Sequence, residues 1–132
     1  MLNYLLDTNI LSDLIKNPQG NLAKKISTLD ADSFCTSIIV ACELSYGAKK
    51  KDSSILTAKV EMLLDSIAIF PLDSCVQEHY ADIRVFLEKQ GQVIGANDML
   101  IASHALALNV ILVTANINEF NRVPELRVEN WF

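Results

Sequence analysis

The sequence is short of the residues that staple, cage or anchor a chain. Its three cysteines, Cys35, Cys42 and Cys75, are an odd number with no Cys-x-x-Cys pair, which argues against a disulfide framework and against a zinc site. Each stands in apolar company and reads as a buried small hydrophobe. Long apolar runs are missing too: Ile67-Ala68-Ile69-Phe70 and Val110-Ile111-Leu112-Val113 fall far below the roughly 20 residues of a membrane span. The start has neither the basic residues nor the apolar length of a signal peptide, and Asp7 interrupts it, so a cytosolic protein without a membrane partner is expected. Positive charge is scarce, with 11 Lys and Arg against 16 Asp and Glu and a net charge of −5. That excludes binding nucleic acid by whole-molecule charge, but not at a site where metal ions meet the phosphates. No Gly-x-x-x-x-Gly-Lys-Ser/Thr loop and no Gly-x-Ser-x-Gly elbow occurs, which removes P-loop NTPases and the commonest serine hydrolases.

What is present is the composition of an ordered globular chain. Half of its 132 residues are hydrophobic (51%), 20% are charged, and only four are Gly and three Pro. Residues 1–132 read as one domain with one core. An apolar strand over Asn3 to Leu6 stops at Asp7-Thr8-Asn9, which is cap and turn chemistry. Ile10, Leu11, Leu14 and Ile15 form a one-faced helix ending near Asn17-Pro18. A short helix over Asn21 to Leu29, a strand at Phe34-Cys35-Thr36, and helices over Ile38 to Lys50 and Ser54 to Leu64 follow. Ile67 to Leu72 reads as a third strand, and Asp73-Ser74 caps a helix that closes at Gly91. Another helix opens at Ala96 or Asn97 and runs to Leu108, before a strand at Val110 to Val113, a helical turn at Asn118 to Phe120 and a last strand at Arg127 to Glu129. Strands alternating with helices imply an α/β fold with a parallel sheet covered on both faces.

Three carboxylates stand out. Asp7 ends the first strand, where ligands bind in an open parallel sheet, although a plain helix cap accounts for it equally. Asp98 opens a helix after Gly95-Ala96-Asn97, where the helix dipole alone favours an acid. Glu43 lies among apolar neighbours in Val40-Ala41-Cys42-Glu43-Leu44, and is either on an exposed outer face or buried and in need of a cation. If the three converge, their repulsion raises their pKa values or calls for a cation. All-oxygen ligands favour Mg²⁺ or Mn²⁺, which suit phosphodiester hydrolysis. The residues alone go that far and no further.

Leu6-Asp7-Thr8-Asn9, Glu43 followed by Tyr46-Gly47-Ala48, Ile94-Gly95-Ala96-Asn97-Asp98, and Val113-Thr114-Ala115-Asn116 through Glu119-Phe120 together resemble the PIN domain, and within it the VapC toxins of bacterial toxin–antitoxin pairs. The resemblance runs from Met1 to Val128-Glu129-Asn130-Trp131. It implies a three-layer α/β/α sandwich with a central, mostly parallel five-stranded sheet, and a Mg²⁺- or Mn²⁺-dependent endoribonuclease. Asp7, Glu43 and Asp98 would be the metal-binding acids, with Thr8, Asn9, Ser37 and Thr114 in support. It further implies an RNA substrate, tRNA prominently, a homodimer, and a VapB-like antitoxin whose C-terminal segment occupies the active groove and through which alone DNA is met. Many PIN domains carry a fourth acid where this chain has Asn116; Asn offers an oxygen but no charge, and Glu119, one turn on, is the candidate substitute.

Other residues carry weaker claims. Lys49-Lys50-Lys51 closes a helix, where cations complement the dipole, and is a candidate RNA backbone contact. Arg84 either meets a substrate phosphate or forms a structural ion pair. His79 and His104 read as structural, the latter because six residues past Asp98 is the other side of a straight helix, and Trp131 reads as packing on the sheet edge. With a mean hydropathy of +0.26, apolar surface left for a dimer or antitoxin is expected. A phospho-receiver fails, since it wants an adjacent acidic pair after the first strand and a Lys after a late one. The alternative that survives is a PIN-like module that binds RNA or protein and cuts weakly or not at all.

Overall fold

The computed structural model describes residues Met1–Phe132. The apolar start forms β1 (Tyr4–Leu6) and stops at Asp7, which caps α1 (Thr8–Lys16). After α2 (Asn21–Ser27) and a 3₁₀ turn at Ala31–Ser33, β2 (Phe34–Ser37) leads directly into α3 (Ile38–Lys50), with Ser37 as its cap. Then come α4 (Ser54–Asp65), β3 (Ala68–Phe70), α5 (Ser74–Gln90), α6 (Ala96–Leu108), β4 (Ile111–Val113), α7 (Ile117–Phe120) and β5 (Val128–Glu129). Caps fix several of these ends. Ser53 Oγ accepts from Leu56 N–H (3.1 Å) and Asp73 Oδ1 from Cys75 N–H (2.9 Å), while Gly91, at φ 66°, closes α5 in the left-handed conformation that glycine adopts at no steric cost.

The sheet is wholly parallel, in the order β3-β2-β1-β4-β5. Successive strands therefore step outward from β1 through β2 to β3, and the chain then crosses back to place β4 on the other side of β1. With right-handed crossovers, α1 to α4 cover one face and α5 and α6 the other. The packing agrees: α1 meets α2, α3 and α4, and α5 lies along α6. The core between the layers includes Leu5, Leu6, Ile10, Leu11, Ile101, Leu112, Val113 and Phe120, all fully buried. Beyond the C-terminal ends of β1 and β4 the strand order reverses, opening the crevice in which such sheets bind ligands.

Some expectations need correction. The five-stranded sheet is as expected, but β3 is shorter than Ile67–Leu72, because Pro71 has no N–H for the ladder. Only Cys35 is buried; Cys42 and Cys75 are exposed, since helices α3 and α5 each turn one face outward. Trp131 does not sit on the sheet edge. Its ring meets that of Tyr4, on the central strand, at 4.8 Å and 73°, with the Lys25 ammonium 4.6 Å above it. No helix is long and apolar enough to cross a membrane.

Candidate active site

Asp7 occupies the switch point between β1 and β4. Its backbone carbonyl takes the N–H groups of Ile10 (3.1 Å) and Leu11 (3.2 Å), and its Oδ1 accepts from Thr8 N–H (2.8 Å), so it caps α1 while Thr8 is the first helical residue. Its Oδ2 accepts from the Thr114 hydroxyl (2.7 Å) and the Asn9 amide (3.3 Å). Thr114, fully buried at the end of β4, also accepts from Asn116 N–H (3.0 Å), and Asn9 Oδ1 accepts from Ala115 N–H (3.0 Å). The Asp-Thr-Asn and Thr-Ala-Asn segments are thus stitched together, and the Asp7 side chain is fixed at 3% exposure.

The other acids reach this crevice from three further elements. Glu43, half-buried on α3, accepts the Thr8 hydroxyl proton at 2.6 Å. Asp98 enters from the first turn of α6, and Glu119 of α7 stands near enough for its charge to act on it. Burial pushes the Asp7 carboxyl above the usual range against the pull of its hydrogen bonds, with the Glu43 charge adding to the rise. Asp98 is pushed up to about 6, first by burial and then by the charges of Asp7, Glu119 and Glu43. The salt bridges of the chain are Met1 to Asp32 and Arg84 to Glu88, so no Lys, Arg or His compensates these four acids.

The sign of that strain is testable. A carboxyl raised in the folded state disfavours folding once the unfolded chain ionises, so the penalty from Asp98 sets in between about pH 4 and pH 6 and stays above that. With discount for its half-exposed setting and for the lost helix-dipole interaction, it amounts to about 1 kcal/mol. Asp98→Asn is therefore expected to raise the melting temperature in EDTA by about 2–4 °C near pH 7.5, and to give no gain near pH 4, as calorimetry at the two pH values will read.

The remaining candidates are placed differently. Ser37 caps α3, its Oγ accepting from Ile39 N–H (3.1 Å), and touches none of the acids. Asn116 is exposed and shares with Asn118, Glu119 and Asn130 the wall of a polar pocket of about 370 Å³. Lys51 lines a groove of about 270 Å³ with Thr8, Glu43 and Lys16 over an apolar floor of Ile15, Leu44, Leu56 and Val60. Lys49 and Lys50 are exposed outside it, the Lys50 ammonium 5.9 Å from the centre of the Tyr46 ring. Arg84 is engaged along α5 with Tyr80 (3.0 Å) and Glu88 (3.4 Å). Sequence reasoning passed over the contact between His104 and Ser37 (2.8 Å), which joins residues 67 apart and leaves no local signal.

Fold and site together define a class: an open parallel α/β domain whose switch point gathers uncompensated carboxylates. The PIN domain family model matches residues 4–126. Ribonuclease VapC2 of Rickettsia felis is 39% identical, the match covering 97% of each chain, and the tRNA(fMet)-specific endonuclease VapC of Shigella flexneri is 36% identical over 99% of each. Among solved structures, VapBC2 from Rickettsia felis bound to a DNA fragment from its promoter superposes with a TM-score of 0.92 at 37% identity, covering 99% of this chain and 100% of that one. DNA-bound VapBC from Salmonella typhimurium gives 0.92 at 32% identity, with all of both chains covered. The chain belongs to the PIN domain family and, within it, to the VapC ribonucleases.

Proposed function

We propose that this chain is the toxin of a toxin–antitoxin pair, an endoribonuclease that hydrolyses phosphodiesters of structured RNA, with tRNA the first substrate to try, and needs Mg²⁺ or Mn²⁺ to do so. The observation that carries the reading is the uncompensated carboxylate set at the switch point: Asp7, pinned by Thr114, Thr8 and Asn9, with the charge of Glu43 acting on it and those of Asp7, Glu119 and Glu43 acting on Asp98. The VapC names and VapBC complexes of its relatives supply the RNA substrate class and the antitoxin.

The donor set suits a hard divalent cation. It is all oxygen, half-buried or deeper, and without a protein cation. No three His, Cys, Asp or Glu side chains are already grouped closely enough to cage an ion, so the cleft is an open acidic ring rather than a preformed cage. Asp7, Glu43 and Asp98 would hold the ion, with Glu119 supplying the charge that Asn116 lacks. A bound divalent ion lowers the pKa of its water and stabilises charge on a phosphate oxygen. The chain's own residues do the positioning: Thr114 and Asn9 fix Asp7, and the Thr8 hydroxyl holds Glu43 toward Asp7, while Glu119 adds a further negative charge beside Asp98. Incubated with bulk tRNA and Mg²⁺, the protein is expected to give discrete fragments; tRNA left intact with both Mg²⁺ and Mn²⁺ contradicts the reading.

Glu119 separates this from the reading of a non-cutting PIN-like module, which Asn116 favours. If Glu119 stands in for the missing acid, Glu119→Gln lowers kcat/KM for RNA by about tenfold, whereas Asn116→Ala costs no more than about threefold. Equal, small effects of both variants in a cleavage assay would remove Glu119 from the site. The groove beside Glu43, with its apolar floor and Lys16 and Lys51 at its rim, is the surface we assign to an antitoxin segment, where occupation would also cover Glu43. Exposed Tyr46, Ile55 and Met62 on α3 and α4, and Val85 and Phe86 on α5, are apolar surface for a second copy. With a net charge of −5, contact with DNA is assigned to the antitoxin.

A further inference from the structure

Ser37 and His104 are buried polar residues that hydrogen-bond to no carboxylate; Ser37 caps the helix that carries Glu43, and His104 lies on the helix that carries Asp98. Ser37 is fully buried and His104 is 2% exposed. Ser37 Oγ accepts from Ile39 N–H as the cap of α3 and lies 2.8 Å from His104 Nδ1. In the neutral ring protonated at Nε2, Nδ1 is an acceptor and the Ser37 hydroxyl donates to it while accepting from Ile39 N–H. That form has the carbonyl of Pro71, at the exit of β3, as a neighbour for the ring. Burial favours this neutral form.

The consequence lies in the spacing. Glu43 is six residues beyond Ser37 on α3, and His104 is six beyond Asp98 on α6, each about 9 Å along a helix axis. The two helices lie on opposite faces of the sheet but come into contact, and the bond from Ser37 to His104 is the one side-chain hydrogen bond between the segment bearing Glu43 and the helix bearing Asp98. An apolar side chain would fill the same core space without desolvating an imidazole and a hydroxyl. What the polar pair adds is one defined placement of α3 against α6. Glu43 and Asp98 reach the crevice from opposite ends of that joint, so a slip between the helices changes the separation of the two carboxylates.

We propose that His104 is a positioning residue of the ribonuclease, holding the helix of Glu43 in register with the helix of Asp98 through Ser37. The inference rests on the nuclease reading above. Its test compares Ser37→Ala, His104→Phe and their double variant with His104→Asn, which leaves the larger void but keeps an acceptor for the Ser37 hydroxyl. Single-turnover tRNA cleavage is read across Mg²⁺ concentrations, and the rise in melting temperature on adding Mg²⁺ is read without substrate. His104→Phe and Ser37→Ala are each expected to lower kcat about tenfold and to raise the Mg²⁺ needed for half-maximal rate several-fold, with KM for RNA within about twofold. The double variant is expected to be no worse than the poorer single. His104→Asn is expected to keep activity within about threefold of wild type, and to keep the Mg²⁺-induced rise that the other two lose, despite its lower melting temperature.

Wild-type rates and metal response in Ser37→Ala and His104→Phe overturn the proposal, as does activity that merely follows stability, with His104→Asn worse than His104→Phe. Should His104→Phe not fold, Ser37→Ala beside His104→Asn decides in the same terms. Wild type and Asp7→Asn are assayed in parallel. A wild type that leaves RNA uncut, or an Asp7→Asn that cuts it, removes the nuclease reading and this inference with it; a wild type that cuts beside an inert Asp7→Asn, with the Ser37 and His104 variants unaffected, removes this inference alone.

Discussion

Asp7→Asn is expected to lower kcat/KM for RNA by at least about 100-fold while leaving the fold in place. Two properties of the site make both halves of that statement follow. Asn is among the best N-cap residues, so its Oδ1 still accepts from Thr8 N–H, while its amide replaces the Oδ2 that accepts from the Thr114 hydroxyl and the Asn9 amide. The helix cap survives, and β1 and β4 stay joined by Asp7 N–H to the Val113 carbonyl and Ala115 N–H to Asn9 Oδ1, so the melting temperature should stay within a few degrees. What is lost is one negative charge at the most deeply buried of the four acids, where a hard cation takes most of its binding energy from charge. Asp7→Ala is the informative contrast. It also strips the cap and leaves the Thr114 hydroxyl in need of a new partner, so it should lose stability by about 1–2 kcal/mol as well as activity. Steady-state cleavage and thermal unfolding of the two variants separate charge from architecture; an Asp7→Asn variant within threefold of wild type takes Asp7 out of the reaction.

Removal of divalent ions is the second large effect. In EDTA, cleavage should fall to background, a loss of at least about 10³-fold, and should return on adding excess Mg²⁺ or Mn²⁺. Protons compete for the same oxygens. Asp98 is held at about 6 and Asp7 is raised, and a carboxylate must be ionised to bind a cation. Above about pH 7 these acids would be ionised for a cation; as pH falls through 6, Asp98 would hold a proton that binding has to displace. The Mg²⁺ concentration giving half-maximal rate should thus rise about tenfold per pH unit below 6 and flatten above 7. The metal-free protein should respond in the opposite sense, gaining stability as pH falls from 7 toward 5, because protonation relieves the crowding of the four acids. A cleavage rate indifferent to EDTA, with a flat metal requirement between pH 5 and 8, would contradict the assignment of these acids.

Much of this was legible from the chain, and the reasons differ by residue. The apolar run ending in Asp7-Thr8-Asn9 encodes a strand, a cap and a helix start within six residues, and the local chemistry is the structure. The cap of α5 at Asp73 and its close at Gly91 are local in the same way. Glu43 was ambiguous because α3 is apolar on most sides around it, and only its contact with Thr8, 35 residues away in sequence, places it in the crevice. Cys42, its neighbour, was misread for the same reason: an all-round apolar stretch does not say which side faces solvent. Glu119 became part of the cluster through the docking of a four-residue helix beside α6, which no periodicity records. The bond from Ser37 to His104 depends on how two layers meet, so spacing along either helix gives the side a residue faces but not the partner it finds.

The central claim is that the carboxylates at the switch point of this sheet cut RNA. The most direct measurement is sequencing of RNA ends after brief induction of the wild-type chain beside Asp7→Asn. The account predicts new ends concentrated at one or a few positions in structured RNA, absent from the Asp7→Asn sample. With a water as the proposed nucleophile rather than the ribose 2′-hydroxyl, those ends should carry no 2′,3′-cyclic phosphate. The same ends in both samples, or no new ends with the wild-type chain expressed and folded, would contradict it.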